Sequence, residues 1–510
     1  MGGCSHVLSI DVGSTGIKAG VVDCRSLEVK SSAVEPAPVR IPRRGWAEQD
    51  PGELWESISR AANGALEEGY NVDGVVFSTY LAGLVLLDQK HSELTPIIMW
   101  LDERGAGLPK ELFSGVIKIK GYNLARLIEF LYIAGGAPGR SGKDPLSKLA
   151  WLAANEAEAV AKARVAGGLK TWVLSKVCRL PATTPDEAHL TWLADTRGGR
   201  AEWSTRLARR YGVPLEKLPR IVNPAGVVCR MTPEAARDLG LKPNVPVVAG
   251  AGDVASAALG SGSIGSSEYH VYVGTSSWVG VHVNRRIVDV KHYIGSILSA
   301  LPGLYLLIGE NEVAGAFIDK ILSLVGESYG ALEEASKIPP GSRGLLMAPW
   351  LLGERSPIDD PHVRGVILGL DVGHGKLHLV RAAMEAVALN IAWTAGFMYR
   401  LAGKPRRVRG VGGGFESRTW ASIIASALGT PIEVVEEPRL AALKGAAILA
   451  VSALSRESPA RVASKVKIAY TANPDPEASQ RYRGLLKAYI KLYGSLKNIF
   501  KTLGSLAEPG

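Results

Sequence analysis

Two carboxylates in this 510-residue chain stand beside turns made of glycine and hydroxyl residues. Asp11 opens Asp-Val-Gly-Ser-Thr-Gly, with Gly13, Ser14 and Thr15 in the turn and Lys18 beyond it. Asp253 closes Ala-Gly-Ala-Gly-Asp and is followed, some twenty residues on, by Gly274-Thr275-Ser276. A third glycine turn, Gly412-Gly413-Gly414, leads to Ser417. Successive backbone N–H groups in such turns can hold phosphate oxygens, and hydroxyls add donors. A carboxylate ahead of the turn is placed to meet a divalent cation, directly or through water. A carboxylate at a helix start stays ionised beside the positive end of the helix dipole and can accept a hydroxyl proton. The chemistry suggested is a catalytic base beside a phosphate cradle. Taken singly, each stretch is equally an ordinary capped turn.

The elements that must position these residues follow from periodicity. His6 to Ile10 and Ile17 to Val22 read as two strands of a hairpin around the first turn. Val245 to Val248 reads as a buried strand, and Val254 to Leu259 as a small-residue helix with Asp253 where an N-cap would be. His270 to Val273 enters the second turn and a further apolar run leaves it, so the strand–turn–strand grammar occurs twice. A strand from Val408 enters the triple glycine, and a helix with Trp420, Ile423, Ile424, Ala427 and Leu428 follows to Gly429. Asp50-Pro51 and Thr232-Pro233 mark helix starts, Leu377 to Leu401 is amphipathic, and Tyr482 to Leu503 reads as a packed C-terminal helix after a loop at 470–476. Two phosphate hairpins in separate halves imply a duplicated nucleotide fold, divided here as 1–244 and 245–510.

In this order, the motifs resemble those of the FGGY carbohydrate kinases of the actin/hexokinase/Hsp70-like ATPase superfamily. Gly45-Trp-Ala-Glu-Gln-Asp-Pro51, Trp100-Leu-Asp-Glu-Arg104, Gly353-Glu-Arg-Ser-Pro-Ile-Asp-Asp-Pro-His-Val-Arg-Gly365 and the small-residue helix from Ala441 are similar to further family blocks. The resemblance runs from about Val7 to Leu496 and is strongest to xylulokinase-like members. It implies an α/β fold of two ribonuclease H-like domains flanking a catalytic cleft. It implies ATP and Mg²⁺, with Asp253 as base and Asp11 in the Mg²⁺ shell. Gly13, Ser14, Thr15, Lys18, Gly274, Thr275, Ser276, Gly413, Gly414 and Ser417 would contact the nucleotide. Trp100, Asp102 and Tyr80 would line the acceptor site. Glu354 and Arg355 are at least as well explained as a structural ion pair.

Two departures bear on the acceptor. Xylulokinases usually carry Gly-Gln-Met-His-Gly where this chain has Thr79-Tyr80-Leu81-Ala82-Gly83, and glycerol kinases carry an Arg-Glu pair there. The residue after the base, often Asn or Gln in the family, is Val254. A ketopentose such as xylulose is the first expectation, with glycerol or another polyol or sugar next. A non-sugar actin-like ATPase and a catalytically weak regulatory paralogue stay open.

Composition bounds the rest. Hydrophobic residues at 46% with 21% charged fit a folded, multi-domain chain. The net charge of +10 comes without a long Lys/Arg run, so a solvated basic surface is expected rather than a nucleic-acid partner. Cys4, Cys24, Cys178 and Cys229 are far apart and form no CxxC, from which neither a metal cluster nor disulfides are expected, and a reducing cytoplasm is. No uninterrupted apolar run reaches membrane-spanning length, and no signal segment opens the chain. A homodimer is left open.

Overall fold

The computed structural model describes residues 4–506. Its first half is built on a six-stranded sheet in the order Val227–Arg230, Pro246–Val248, Gly74–Thr79, His6–Val12, Gly16–Asp23, Val29–Pro36. The hairpin expected around Gly13 is present, with Asp11 opposite Lys18. Gly74–Thr79 runs parallel to both His6–Val12 and Pro246–Val248. These central strands are buried on both faces, which is why they read as continuous apolar runs. Leu8, Ile10, Val75 and Phe77 pack under helices Pro51–Leu66 and Leu169–Cys178. Val7, Val76 and Val248 point the other way, against helix Ala441–Ser455. Helix Pro51–Leu66 starts where the sequence says: the Asp50 carboxylate accepts from Gly52 N at 2.9 Å and Glu53 N at 3.1 Å.

The second half repeats the plan. Its eight-stranded sheet runs Val288–Asp289, Ile294–Leu298, Tyr305–Asn311, Ser277–Val283, Glu268–Val273, Arg407–Val411, Ile432–Val435, Ile468–Ala472. Three antiparallel strands, two parallel strands and an antiparallel edge strand recur in the same succession as in the first sheet. Helix Lys376–Ala402 fills the core beneath, and helix Pro476–Leu506 packs outside it.

In each half, the second parallel strand leads into a helix: Asp253–Gly260 in one and Ala441–Ser455 in the other. The two helices cross at backbone contact. A Cβ on Gly260 would lie 1.8 Å from the Ala441 carbonyl oxygen, and one on Gly445 would lie 1.7 Å from that of Ser256. Among the described residues, 438–455 is the stretch of helix long and apolar enough to cross a membrane by length and composition, and its side chains pack on the first sheet and on helix Asp253–Gly260.

Three expectations are corrected. Residues 470–472 belong to edge strand Ile468–Ala472 and are not loop. The strand at Pro246–Val248 lies beyond the 244/245 division yet pairs in the first sheet. The four cysteines form two disulfides, Cys4–Cys24 and Cys178–Cys229, each with Cα atoms 5.8 Å apart. Hairpin register sets Cys4 beside Cys24, whose N–H donates to the Ser5 carbonyl at 2.9 Å. Cys178 ends a helix that packs under the edge strand bearing Cys229. Both pairings are tertiary, so linear spacing does not reveal them.

Candidate active site

Sheet register brings the two carboxylates together. Asp11 pairs with Ser78, and Gly252 makes a parallel bridge to Thr79, so Asp11 and Asp253 emerge at the same strand ends on either side of Gly74–Thr79. Two strand spacings put their backbones roughly 10 Å apart. In open α/β sheets, ligands bind at these carboxyl ends. Asp253 is the first helical residue and Gly252 the cap, which corrects the N-cap expectation. Its Oδ1 accepts from the N–H of Val254 at 2.9 Å. Burial, and next the negative charge of Asp11, push its carboxyl up to about 7. A carboxyl tuned that high is suited to taking a proton near neutral pH.

Asp11 is 4% exposed. Lys18 Nζ lies 3.4 Å from its Oδ2, while Oδ1 is buried with no hydrogen-bond partner. An unpartnered buried carboxylate oxygen fits a hard cation such as Mg²⁺. No cluster of three or more His, Cys, Asp or Glu suited to a metal occurs among the described residues.

The three glycine turns lie at strand ends, the first in the amino-terminal sheet and the other two in the second sheet. The first is closed by Gly13 N donating to Gly16 O at 3.1 Å. Ser14 is fixed by Trp100 Nε1, which donates to its Oγ at 2.7 Å, and by Gln49 Nε2, which donates to its carbonyl at 3.4 Å. In the second turn Thr275 is exposed, and the carbonyls of Gly274 and Thr275 accept from Gly315 and Ala314 at 2.8 Å. Tyr272 pairs with Val411, which sets the triple glycine beside this turn. Gly412 has φ +96°, and a Cβ there would meet the Val273 carbonyl at 2.4 Å. Gly413 and Gly414 begin the 3₁₀ turn Gly413–Glu416, and Gly413 faces Arg439. Ser417 is a helix cap: its Oγ accepts from Trp420 N at 3.1 Å and donates to Glu333 at 2.6 Å.

On the acceptor side, Trp100 bridges the halves. Its indole holds Ser14, and the Arg355 guanidinium lies 5.2 Å over its ring. Arg355 is gripped by Glu310, at 2.5 Å, and by Glu312. The negative charge of Glu310 also acts on Asp253. Glu354 is not the ion-pair partner expected for Arg355. It is buried and accepts from Glu312 N at 2.7 Å, Arg355 N at 2.9 Å and Asn390 Nδ2 at 2.6 Å. Burial raises its carboxyl to about 8. Two further expectations are corrected. Tyr80 is 1% exposed, and its hydroxyl donates to Gln49 at 2.8 Å, so it props the first turn from behind. Asp102 is wholly buried and accepts from Ala47 N and from Arg104 Nε and Nη2, all at 2.8 Å. It locks a loop rather than a substrate. Glu310 and Glu312 escaped the sequence reading. Their one signal is an acidic pair at the end of an apolar strand, Leu-Leu-Ile-Gly-Glu-Asn-Glu.

A duplicated ribonuclease H-like fold with glycine turns at the strand ends of both sheets and paired carboxylates beside them is the plan of the sugar-kinase type of actin-like ATPase. The two domains of the FGGY family of carbohydrate kinases, N-terminal and C-terminal, match residues 6–260 and 270–454. The chain belongs to that family and is an ATP-dependent carbohydrate kinase. It is 26% identical to the gluconokinase of Bacillus subtilis (strain 168), over 97% of this chain and 96% of the relative. It is 26% identical to the xylulose kinase of the same strain, over 99% of each. The ligand-bound xylulose kinase from Lactobacillus acidophilus has the same fold, with a TM-score of 0.87, 22% identity, and coverage of 98% of this chain and 100% of that one.

Proposed function

We propose that this kinase transfers the γ-phosphoryl group of ATP to a hydroxyl of a neutral ketopentose such as xylulose, with Asp253 as the base. The carrying observation is the state of the acceptor wall. Arg355, beside Trp100, is already matched by Glu310 and Glu312, and Lys143 lies 3.4 Å from Glu103 and 3.9 Å from Glu312. With Asp11 and Asp253 on the floor, the wall carries more carboxylates than the cations beside them. An acceptor bearing its own carboxylate, such as gluconate, would meet like charge. A neutral polyhydroxyl chain can donate to Glu310 and Asp253 and lay its carbons on the Trp100 ring. Val254 and Ala82 add no polar group, so these acids carry the recognition.

The roles follow from position. Asp253 accepts the acceptor's proton as its oxygen attacks. The turns at Gly13–Thr15, Gly274–Ser276 and Gly412–Gly414 offer N–H groups and hydroxyls to the nucleotide, and Lys18 adds positive charge. Asp11 would hold Mg²⁺, which when bound offsets phosphate charge. Closure of the two halves keeps water from the reacting phosphate. Coupled ADP release over D-xylulose, D-ribulose, glycerol and gluconate is the test. The fastest turnover is expected on a pentulose. Gluconate as the preferred acceptor overturns the substrate assignment, and ADP release indifferent to every acceptor overturns sugar phosphorylation.

A further inference from the structure

Among the described residues, the one hydrogen bond to the Asp253 carboxylate comes from its neighbour Val254, so its aim depends on the backbone that carries it. That backbone is held from behind. Gly252 donates its N–H to Asp186 Oδ2 at 2.6 Å. Asp186 is wholly buried, and Thr184 Oγ1 donates to its other oxygen at 2.6 Å. Both belong to Thr183-Thr-Pro-Asp-Glu187, which enters helix Pro185–Leu190. Glu187, next in line, accepts from Thr183 Oγ1 at 2.6 Å and from Lys170 N at 3.1 Å.

Lys170 completes the arrangement. It is wholly buried, and its ammonium donates to the carbonyl of Phe77. Phe77 lies on the strand between those that lead to Asp11 and Asp253. Asp186, Glu187, Asp11 and Asp253 all act electrostatically on this one cation. Burial pushes the lysine down, and with the carboxylates opposing that fall it stands at about 8. Replacing a buried charge cluster by well-packed apolar residues is often neutral or stabilising, so the cluster here is better explained by the geometry it fixes than by stability.

We propose that Asp186 is a positioning residue for phosphoryl transfer: it grips the amide that precedes Asp253, and Lys170 supplies the buried positive charge that lets Asp186 and the site carboxylates sit together. The proposal rests on Asp253 being the base. A base displaced by about 1 Å loses on the order of 100-fold in rate while substrates still bind.

Steady-state kinetics on the full chain, with circular dichroism and calorimetric ADP binding, compare Asp186→Ala, Asp186→Asn and Asp253→Asn. Folded Asp186→Ala should bind ADP normally and keep both KM values within about threefold, with kcat down about 100-fold. Asp186→Asn should recover to within about tenfold of wild type, because its amide oxygen can still accept from Gly252. Folded Asp186→Ala with near wild-type kcat overturns the proposal, as does Asp186→Asn no better than Asp186→Ala. Where Asp186→Ala does not fold, Thr184→Val decides. A kcat drop of about tenfold at unchanged KM supports positioning, and unchanged kcat refutes it. Undiminished kcat in Asp253→Asn is a separate failure, of the base assignment itself.

Discussion

At the scale of single residues, desolvation at a half-buried position beside Asp11 sets the behaviour of Asp253. Asp253→Asn should lower acceptor-dependent kcat by about 1,000-fold while ADP still binds, read by coupled ADP release. For the wild type, kcat/KM for the acceptor should fall on the acid side of pH 7, as the carboxyl at about 7 takes up its proton. A profile flat between pH 5.5 and 8 would contradict this. The same carboxyl titrates near 3.8 in an unfolded chain. Between those values the folded state holds a proton that the unfolded state has lost, so its contribution to stability declines as pH rises through that window. Asp253→Asn should therefore melt higher than wild type at pH 8 without nucleotide, with the difference gone near pH 4, in a thermal scan. Asp11 and Asp253 stand out in the sequence because each adjoins glycine turns, and sheet register sets them at neighbouring strand ends. Tyr80 and Asp102 were read as acceptor contacts for a shared reason, and both are buried and engaged elsewhere. A polar side chain near a motif satisfies a buried neighbour as readily as a ligand, and only the partner list separates the two cases.

At the scale of elements, the strands, turns and caps were read well because each has a local cause. Thr232 caps helix Pro233–Asp238, and Gly429, at φ +64°, ends helix Arg418–Leu428 where the pattern placed it. Edge strand Ile468–Ala472 was read as loop because it is short, half-exposed and close to two prolines. The helix crossing was also invisible, since glycines at 260 and 445 look like any small residue until two backbones meet. Gly445→Ala should cost about 3 kcal/mol or more in urea unfolding, because the crossing has no room for a methyl group. Gly494→Ala is the control. It sits exposed in helix Pro476–Leu506 with nothing near its Cβ, and should stabilise by about 1 kcal/mol.

For the whole molecule, the disulfides are testable directly. Thiol titration of the denatured, unreduced protein should find no reactive cysteine, and reduction should expose four. Loop-closure entropy assigns about 4 kcal/mol to a link across the 51 residues from Cys178 to Cys229, so reduction should lower the melting temperature. Free thiols in the unreduced protein would refute both bonds. Duplication was legible from the repeated hairpin, whereas the interlocking of the halves was not. Helix Ala441–Ser455 closes one face of the first sheet, and Ser9 Oγ donates to its Leu443 carbonyl at 2.7 Å. The first sheet is thus finished by a segment translated long after its own strands. Ribosomes adding 5–20 residues per second leave that face uncovered for roughly 20–75 s after Thr79 is made. During that interval Val7 and Val76 lack the cover of this helix, leaving an apolar surface of the kind that holding chaperones bind.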